Sequence, residues 1–222
     1  AVRKSMFLSR EFLFSFSQNW LTHGYKEITI PPAVGGGFRT DDNALHIWPR
    51  GEDMLIALPN LDGSFTVTLF LPFSNSDYCF DNLTTMDKVE AYFSSEFPDA
   101  LQLMPDLVDQ FFHNPTSPLG TIKCCPWSAY GKTLLMGDAA HAIVPFYGQG
   151  MNSSFEDVAV FDRILDQGYP DWDTVLREYE AARRIDTNAI ADLAVDNFHE
   201  MKAHTASDLF QAKRRLELQF EI

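Results

Sequence analysis

Leu134-Leu135-Met136-Gly137-Asp138-Ala139-Ala140-His141, followed after three residues by Pro145-Phe146-Tyr147-Gly148-Gln149-Gly150-Met151-Asn152, is the stretch whose reading decides the fold. It opens with an apolar strand, expected over residues 133–136, that delivers Asp138 at its carboxyl end. Pro145 stops the short segment that follows, and a glycine-bounded turn then opens an amphipathic helix expected over residues 153–165. A strand end and a helix N-terminus are thereby aimed at one place. Ligands of α/β proteins collect at strand carboxyl ends, and the unpaired N–H groups and positive dipole of a helix N-terminus favour an anion or a polarised oxygen there. The pairing reads as a cofactor cradle in an α/β chain.

Composition narrows what such a cradle can serve. With 222 residues, 45% of them hydrophobic, the chain can bury a core but is short for two independent domains of typical size. Its 17 basic against 31 acidic side chains leave a net charge of −14, which disfavours nucleic acid and an anionic membrane surface as partners. Cys79, Cys124 and Cys125 are odd in number and lack CxxC spacing. Neither a disulfide framework nor a thiolate zinc site is expected, and a reducing, cytoplasmic location fits. No apolar run approaches the roughly 20 residues that span a bilayer, and the amino end lacks the charged-then-apolar order of a signal peptide. Ala1-Val2-Arg3-Lys4-Ser5 has no initiator Met and no cap or strand signal after it, so the chain is expected to begin inside a domain.

Residues 25–30 alternate apolar and polar and stop at Pro31-Pro32, as a strand does. Strands expected at 44–48, 54–58 and 64–71, separated by Pro49-Arg50-Gly51-Glu52 and Asn60-Leu61-Asp62-Gly63, imply an antiparallel meander. At period two, Met54, Ile56 and Leu58 share one face of their strand, and Thr66, Thr68 and Phe70 one face of the next. Because Leu55 and Ala57 are apolar as well, the sheet is expected to be covered on both sides. Residues 84–97 read as a helix ended by Pro98, and a strand at 121–124 precedes the one at 133–136. Beyond Gly168 and Pro170, Asp171 or Asp173 caps a helix expected over 174–204. Its apolar stripe holds Leu176, Tyr179, Ile190, Leu193, Phe198 and Met201, with the amide of Asn197 on the same face.

Each candidate has an ordinary reading beside the functional one. Asp138 alone reads first as the N-cap of a helical turn over 139–144. In this company it is also a carboxylate placed to accept hydrogen bonds from sugar-like hydroxyls, while Gly148 and Gly150 let the backbone approach a flat ligand. The run from Gly148 to Ser153 imitates a GxGxxG fingerprint poorly, because it follows a proline-bearing loop and has Ser in place of the third Gly. Gly35-Gly36-Gly37 reads as a turn. His199 and His204 are five residues apart, about 140° off a shared helical face, whereas a zinc-binding HExxH needs four, so no metal is expected. Asp138 and His141 with Ser153 or Ser154 lack the G-x-S-x-G elbow of a hydrolase. Cys124 and Cys125 read as ordinary buried thiols, and Met54, Ile56, Leu58 and Phe70 by themselves as core. Asn197 reads as a core amide, which needs a protein or ligand partner for its polar atoms.

Gly137-Asp138-Ala139-Ala140-His141, the run Pro145 to Asn152, and Phe155-Glu156-Asp157 together resemble the second flavin motif of the FAD-dependent aromatic hydroxylases. The longer form His141-Ala142-Ile143-Val144-Pro145-Phe146, with Leu45-His46-Ile47-Trp48-Pro49-Arg50 and Ile56-Ala57-Leu58-Pro59-Asn60, resembles the branch of that family that hydroxylates L-kynurenine. The likeness runs from His23 to about His204. It implies an α/β fold in which an antiparallel substrate sheet is inserted in a Rossmann-like FAD-binding fold, the architecture of class A flavoprotein hydroxylases. Residues 1–22 would be the tail of the amino-terminal FAD-binding part and 23–120 the substrate-binding sheet. Residues 121–168 would be the second FAD-binding segment and 169–222 a carboxyl-terminal helical region.

The resemblance also implies the chemistry. NADPH reduces FAD, the reduced flavin takes up O2 to give a hydroperoxide, and that oxidant converts L-kynurenine to 3-hydroxykynurenine. Asp138 would hold the ribityl chain of FAD, and Gly150, Met151 and Asn152 would meet the pyrimidine edge of the isoalloxazine. Pro145, Phe146 and Gln149 would border the substrate. Leu45, Met54, Ile56, Leu58 and Phe70 would wall its ring, and Asn197 would help hold its amino-acid end. No side chain stands out as a catalytic acid or base.

The family pattern is incomplete. The strand, G-x-G-x-x-G turn and helix that bind the ADP part of FAD are not found, nor are the Arg and Tyr that grip the substrate carboxylate. Ala1-Val2-Arg3 resembles the tail of the motif G-A-D-G-x-x-S-x-V-R, and the family's further substrate Tyr and, in eukaryotic members, its membrane anchor would lie beyond Ile222. The expectation is a segment of the enzyme, inactive and with weak or no FAD binding alone, whose partner is the missing amino-terminal part. Two alternatives stay open: a related hydroxylase of another aromatic acid, and a non-catalytic module that keeps the fold without the cofactor.

Overall fold

The structure, a computed structural model, describes residues 1–9, 11 and 13–201. The elements are α1 (Val2–Leu8), β1 (Ser15–Ile30), β2 (His46–Arg50), β3 (Asp53–Pro59), β4 (Phe65–Pro72), α2 (Met86–Glu96), α3 (Pro98–Leu101) and α4 (Leu107–His113). They continue as β5 (Ser117–Cys125), β6 (Ser128–Ala129), β7 (Thr133–Leu134), α5 (Asp138–His141), a 3-10 turn at Pro145–Tyr147, α6 (Gly150–Leu165) and α7 (Trp172–His199). Two compact units result: Leu21–Leu119 with the described residues from His199 onward, and Ala1–Trp20 with Gly120–Phe198.

The first unit is organised by a sheet of order β2-β3-β4-β1-β5. The meander is present, and its register separates two faces. Leu55 pairs with Leu69, Ala57 with Val67, and Val67 with Ile28 across antiparallel strands, and all five side chains are buried. Val89, Tyr92 and Phe93 of α2, Ala100 of α3, and Leu107 and Phe111 of α4 complete that core. The opposite face pairs Ile47 with Ile56, Ile56 with Thr68, and Leu58 with Thr66. Met54 and Phe70 are buried on this face, but its Ile47 and Leu58 end is open, with Leu58 52% and Ile47 40% exposed, so the expected cover on both sides is only partial. The reason is lateral: β3 is apolar on both faces, but Thr66 and Thr68 of β4 and Glu27 and Thr29 of β1 make the second face half polar, so it gains less from burial.

Two boundaries shift for local reasons. Pro49 pairs with Met54 inside β2 instead of opening the turn, which a proline can do because β2 is an edge strand. Pro98 stands at the first turn of α3, where its missing N–H costs nothing, so it starts a helix as well as following one.

The second unit packs Met6, Trp127, Leu135, Ala140, Val160, Ile164, Val175 and Tyr179 into its own core. Here α1 forms where the sequence offers no cap, and none of its end groups is capped by a side chain. The strand expected at 25–30 begins at Ser15, because its first residues are mostly exposed and polar and hide the alternation. The strand expected at 133–136 shrinks to β7, which pairs with β6 and hands on to a single bond from the Leu135 N–H to the Trp127 carbonyl at 2.8 Å. α6 starts at Gly150 instead of 153, since nothing between breaks the helix.

Asp171 does cap α7: its carboxylate accepts the Thr174 N–H at 2.8 Å. The stripe of α7 is more polar than expected. Tyr179, Arg183, Thr187, Ala191, Ala194 and Phe198 are buried, whereas Leu193 is 48% exposed. His204 lies outside the described residues.

Candidate cofactor site

The glycine before Asp138 sets the first half of the cradle. Gly137 has φ 58° and ψ −142°, a backbone that side chains rarely adopt, and a Cβ there would meet the Ser154 hydroxyl at 3.2 Å. Gly137, and not Asp138, is the N-cap of α5, so Asp138 is its first helical residue. Its side chain is exposed, with no hydrogen-bond or ion-pair partner among the described residues. Arg3 secures the turn by donating from Nη1 to the Ala139 carbonyl at 2.9 Å.

The second half is the start of α6. Gly148 takes the left-handed conformation at φ 63°, and Gln149 is the N-cap without a side-chain bond to the helix. Its amide is engaged elsewhere, accepting from Asn152 Nδ2 at 3.0 Å and donating to the Tyr147 carbonyl at 3.2 Å. The N–H groups of Gly150, Met151 and Asn152 therefore point out of the helix end with no intrahelical partner. A Cβ on Gly148 would meet nothing within 4 Å, and one on Gly150 only Ile143 Cγ1 at 3.8 Å, so the backbone is open to a flat ligand. These residues fit FAD: a carboxylate awaiting hydroxyl donors, an unobstructed glycine turn, and a helix N-terminus for the edge of the flavin ring that becomes anionic on reduction.

Behind both halves lies a buried charged cluster. Asp157 is fully buried on α6; its Oδ2 accepts the Gly137 N–H at 2.9 Å and His141 Nε2 at 2.6 Å, and its Oδ1 accepts Arg183 Nε at 2.8 Å. Arg183 Nη1 also reaches Glu156 at 2.6 Å, and Nη2 donates to the Ser153 carbonyl at 3.2 Å. Burial alone would raise the Asp157 carboxyl, but the hydrogen bonds from His141, Arg183 and Gly137 outweigh it and hold the group at about 2. His141 is thus the partner of Asp157, and neither Asp138 nor Ser153 forms a hydrolase-like chain with it. Trp127 stacks at a tilt on His141, ring centroids 5.1 Å apart.

The sequence names Asp157 only within a motif and does not single out Arg183. The signal was available: Asp157 lies four after Ser153 and three before Val160 on the buried stripe of α6, and Arg183 four after Tyr179 on that of α7. A charged residue inside an apolar stripe needs a partner, and two such residues on neighbouring helices supply each other.

The remaining candidates fall into the two units. In the sheet unit, Met54 and Phe70 are cross-strand partners and buried, Ile56 is half-buried, and Leu58 and Leu45 are exposed, all but Leu45 placed by the register on the open face. In the other unit, Asn197 Nδ2 donates to the Phe146 carbonyl at 2.6 Å, and the Phe146 ring stacks on Phe198 with centroids 4.6 Å apart. Pro145 is exposed and Gln149 half-buried. Gln149 and Asn152 also line a cavity of about 470 Å3 that extends past Tyr147 and Glu156 to Asp186 and Ile190. Cys124 is buried, which pushes its thiol up to about 11, whereas Cys125 is half-buried and takes a hydrogen bond from Arg184 at 2.8 Å.

Comparison with known proteins shows what the chain is similar to. Residues 123–194 match the model of the FAD binding domain. The chain is 49% identical over 213 residues to a kynurenine 3-monooxygenase of Flavobacterium psychrophilum, covering 96% of this chain and 47% of that protein. It is 52% identical over 204 residues to one of Myxococcus xanthus, covering 92% and 44%. The chain spans about half the length of the curated relatives it matches. Among solved structures, a variant of HpxO from Klebsiella pneumoniae complexed with FAD has the same fold at TM-score 0.67, with 18% identity over 90% of this chain and 51% of that one. Over the part of their length that it spans, the chain is similar to the kynurenine 3-monooxygenases, and its α/β fold is that of the solved structures it matches.

Proposed function

We propose that the chain provides the second FAD-binding segment and the substrate sheet of a flavin-dependent aromatic monooxygenase that hydroxylates L-kynurenine to 3-hydroxykynurenine. The observation that carries this reading is the convergence of an unpartnered Asp138 and the uncapped N–H groups of Gly150 to Asn152 around two open glycines. The redox chemistry resides in FAD when it is bound: two electrons come from NADPH, one oxygen atom of O2 enters the ring, and the other leaves as water.

The residues of this chain bind, orient and exclude water. Asp138 accepts hydrogen bonds from ribityl hydroxyls. The N–H groups of Gly150, Met151 and Asn152 stabilise negative charge on the pyrimidine edge. Taken unit by unit, Pro145, Phe146 and Gln149 beside the cradle, with the Asn197 amide, are the candidate substrate contacts of one, and Leu45, Met54, Ile56, Leu58 and Phe70 are the candidate apolar wall of the sheet unit. The ADP half of FAD and the substrate carboxylate are assigned to an amino-terminal partner segment. The reading places the protein in the cytoplasm. Among the described residues no helix is long and apolar enough to cross a membrane.

Incubating the protein at its natural length with FAD, NADPH, O2 and L-kynurenine tests the reading. The expected product is a ring-hydroxylated kynurenine whose added oxygen derives from labelled O2. NADPH oxidation that yields only hydrogen peroxide with L-kynurenine, but hydroxylates another aromatic acid, transfers the site to that substrate. No flavin-dependent NADPH oxidation with any aromatic acid leaves a non-catalytic module.

A further inference from the structure

Resting on the reading of residues 137–152 as the FAD cradle, we propose that Asp157 is its positioning residue: one buried carboxylate sets where Asp138 stands relative to the N–H groups of Gly150 to Asn152. Asp157 is fully buried and does not reach the ligand itself. Its bond to the Gly137 N–H fixes the Met136–Gly137 peptide plane, one residue ahead of Asp138, at a glycine whose backbone conformation is otherwise disfavoured. The same side chain is rooted two turns into α6, and a helix is stiff over two turns. The separation of Asp138 from the helix N-terminus is therefore set through Gly137, Asp157 and the α6 backbone.

The other members of the cluster serve that geometry. Arg183 holds Oδ1 of Asp157 and, through Nη2, the carbonyl of Ser153 in the first turn of α6, so it braces both ends of the span. His141 closes the α5 turn back onto Oδ2. Stability alone does not call for such a cluster, since a well-packed apolar pair in place of a buried ion pair is often neutral or stabilising. What an apolar pair cannot do is accept the Gly137 N–H.

That difference supplies the test, made on the natural-length protein with FAD affinity read by quenching of flavin fluorescence. The doubly apolar variant Asp157→Ala with Arg183→Met removes the ion pair without stranding a charge. It is expected to keep the wild-type circular dichroism spectrum and to bind FAD at least about tenfold more weakly, the scale of a lost charge-assisted hydrogen bond. Adding Asp138→Ala to that variant is expected to weaken binding no further than Asp138→Ala does alone, because Asp157 acts through Asp138. A folded double variant with wild-type FAD affinity overturns the proposal, and so do effects of the two sites that simply multiply.

Asp157→Asn combined with Arg183→Met keeps an oxygen for the Gly137 N–H without setting an amide N–H against a buried guanidinium, and provides the check should the apolar variant not fold. It is expected to bind FAD within about threefold of wild type, less than the tenfold of 1.4 kcal/mol. A folded Asn variant that loses FAD overturns the proposal. Wild-type protein that binds no FAD overturns the underlying reading itself, and is recognised before any variant is compared.

Discussion

Gly137 donates its backbone N–H to the carboxylate of Asp157 at 2.9 Å, across twenty residues of chain. The bond joins the turn that presents Asp138 to the helix that presents the Gly150 to Asn152 N–H groups. The two parts of the motif are thus tied to each other within the chain, and preorganised donors and acceptors cost little rearrangement on binding.

The cluster around Asp157 makes the fold sensitive to acid. The folded pKa of Asp157 is held at about 2, below an unfolded value of about 3.9. Its contribution to stability is fully present above the unfolded value and is lost as pH falls from there through about 2. Chemical denaturation at a series of pH values should show this loss in wild type and its absence in Asp157→Ala with Arg183→Met. Arg183→Met alone strands the buried carboxylate and should cost about 3–5 kcal/mol at neutral pH.

Asp138→Ala separates binding from folding. The side chain is exposed and has no partner among the described residues, so stability should move by less than about 0.5 kcal/mol. FAD affinity should fall by at least about tenfold, the worth of a charge-assisted hydrogen bond to a hydroxyl. Thermal unfolding of the apoprotein beside flavin titration measures both, and a large drop in Tm with FAD affinity intact would contradict the assignment.

Lys26 is another buried charge, without a carboxylate partner among the described residues. Its ammonium donates to the Asn114 carbonyl at 2.6 Å and lies 4.8 Å from the centre of the Phe111 ring, and burial lowers its pKa from 10.5. A depressed lysine means that the unfolded chain binds more protons between the lowered value and 10.5, so stability should rise with pH through that window. Lys26→Met should remove this rise and should be no less stable than wild type at neutral pH. Denaturation midpoints of the two proteins across alkaline pH decide it.

The two faces of the sheet should respond differently to truncation. Leu69→Ala empties a fully buried site and should cost about 2–5 kcal/mol. Leu58→Ala lies on the open face, where the side chain is 52% exposed, and should cost under about 1 kcal/mol. If that face shields the substrate ring, Leu58→Ala should instead raise KM for L-kynurenine by about tenfold or less, the worth of a few buried methylenes. An unchanged KM would remove Leu58 from the substrate wall.

What could be read from the sequence was what local chemistry specifies. The meander followed from turn residues at hairpin spacing, the Asp171 cap from its place before an apolar period, and the glycine turn ahead of α6 from Gly148 and Gly150. The rest depended on partners far along the chain. α1 has no local signal and is held by the burial of Met6 and the bond from Arg3 to Ala139. One side of the sheet is open at its Ile47 and Leu58 end because Thr66, Thr68 and Glu27 come from neighbouring strands, which the pattern of β3 alone does not contain. Asp157 and Arg183 sit 26 residues apart, and each looks like a flaw in its own helix until the other is set beside it.

The flavin absorbance spectrum of the natural-length protein, followed during reduction by NADPH with and without L-kynurenine, tests the central claim most directly. The account predicts bound FAD whose reduction accelerates when L-kynurenine is present, with both signals lost in Asp138→Ala. Protein that carries no flavin, or an Asp138→Ala variant that holds FAD as well as wild type, would contradict it.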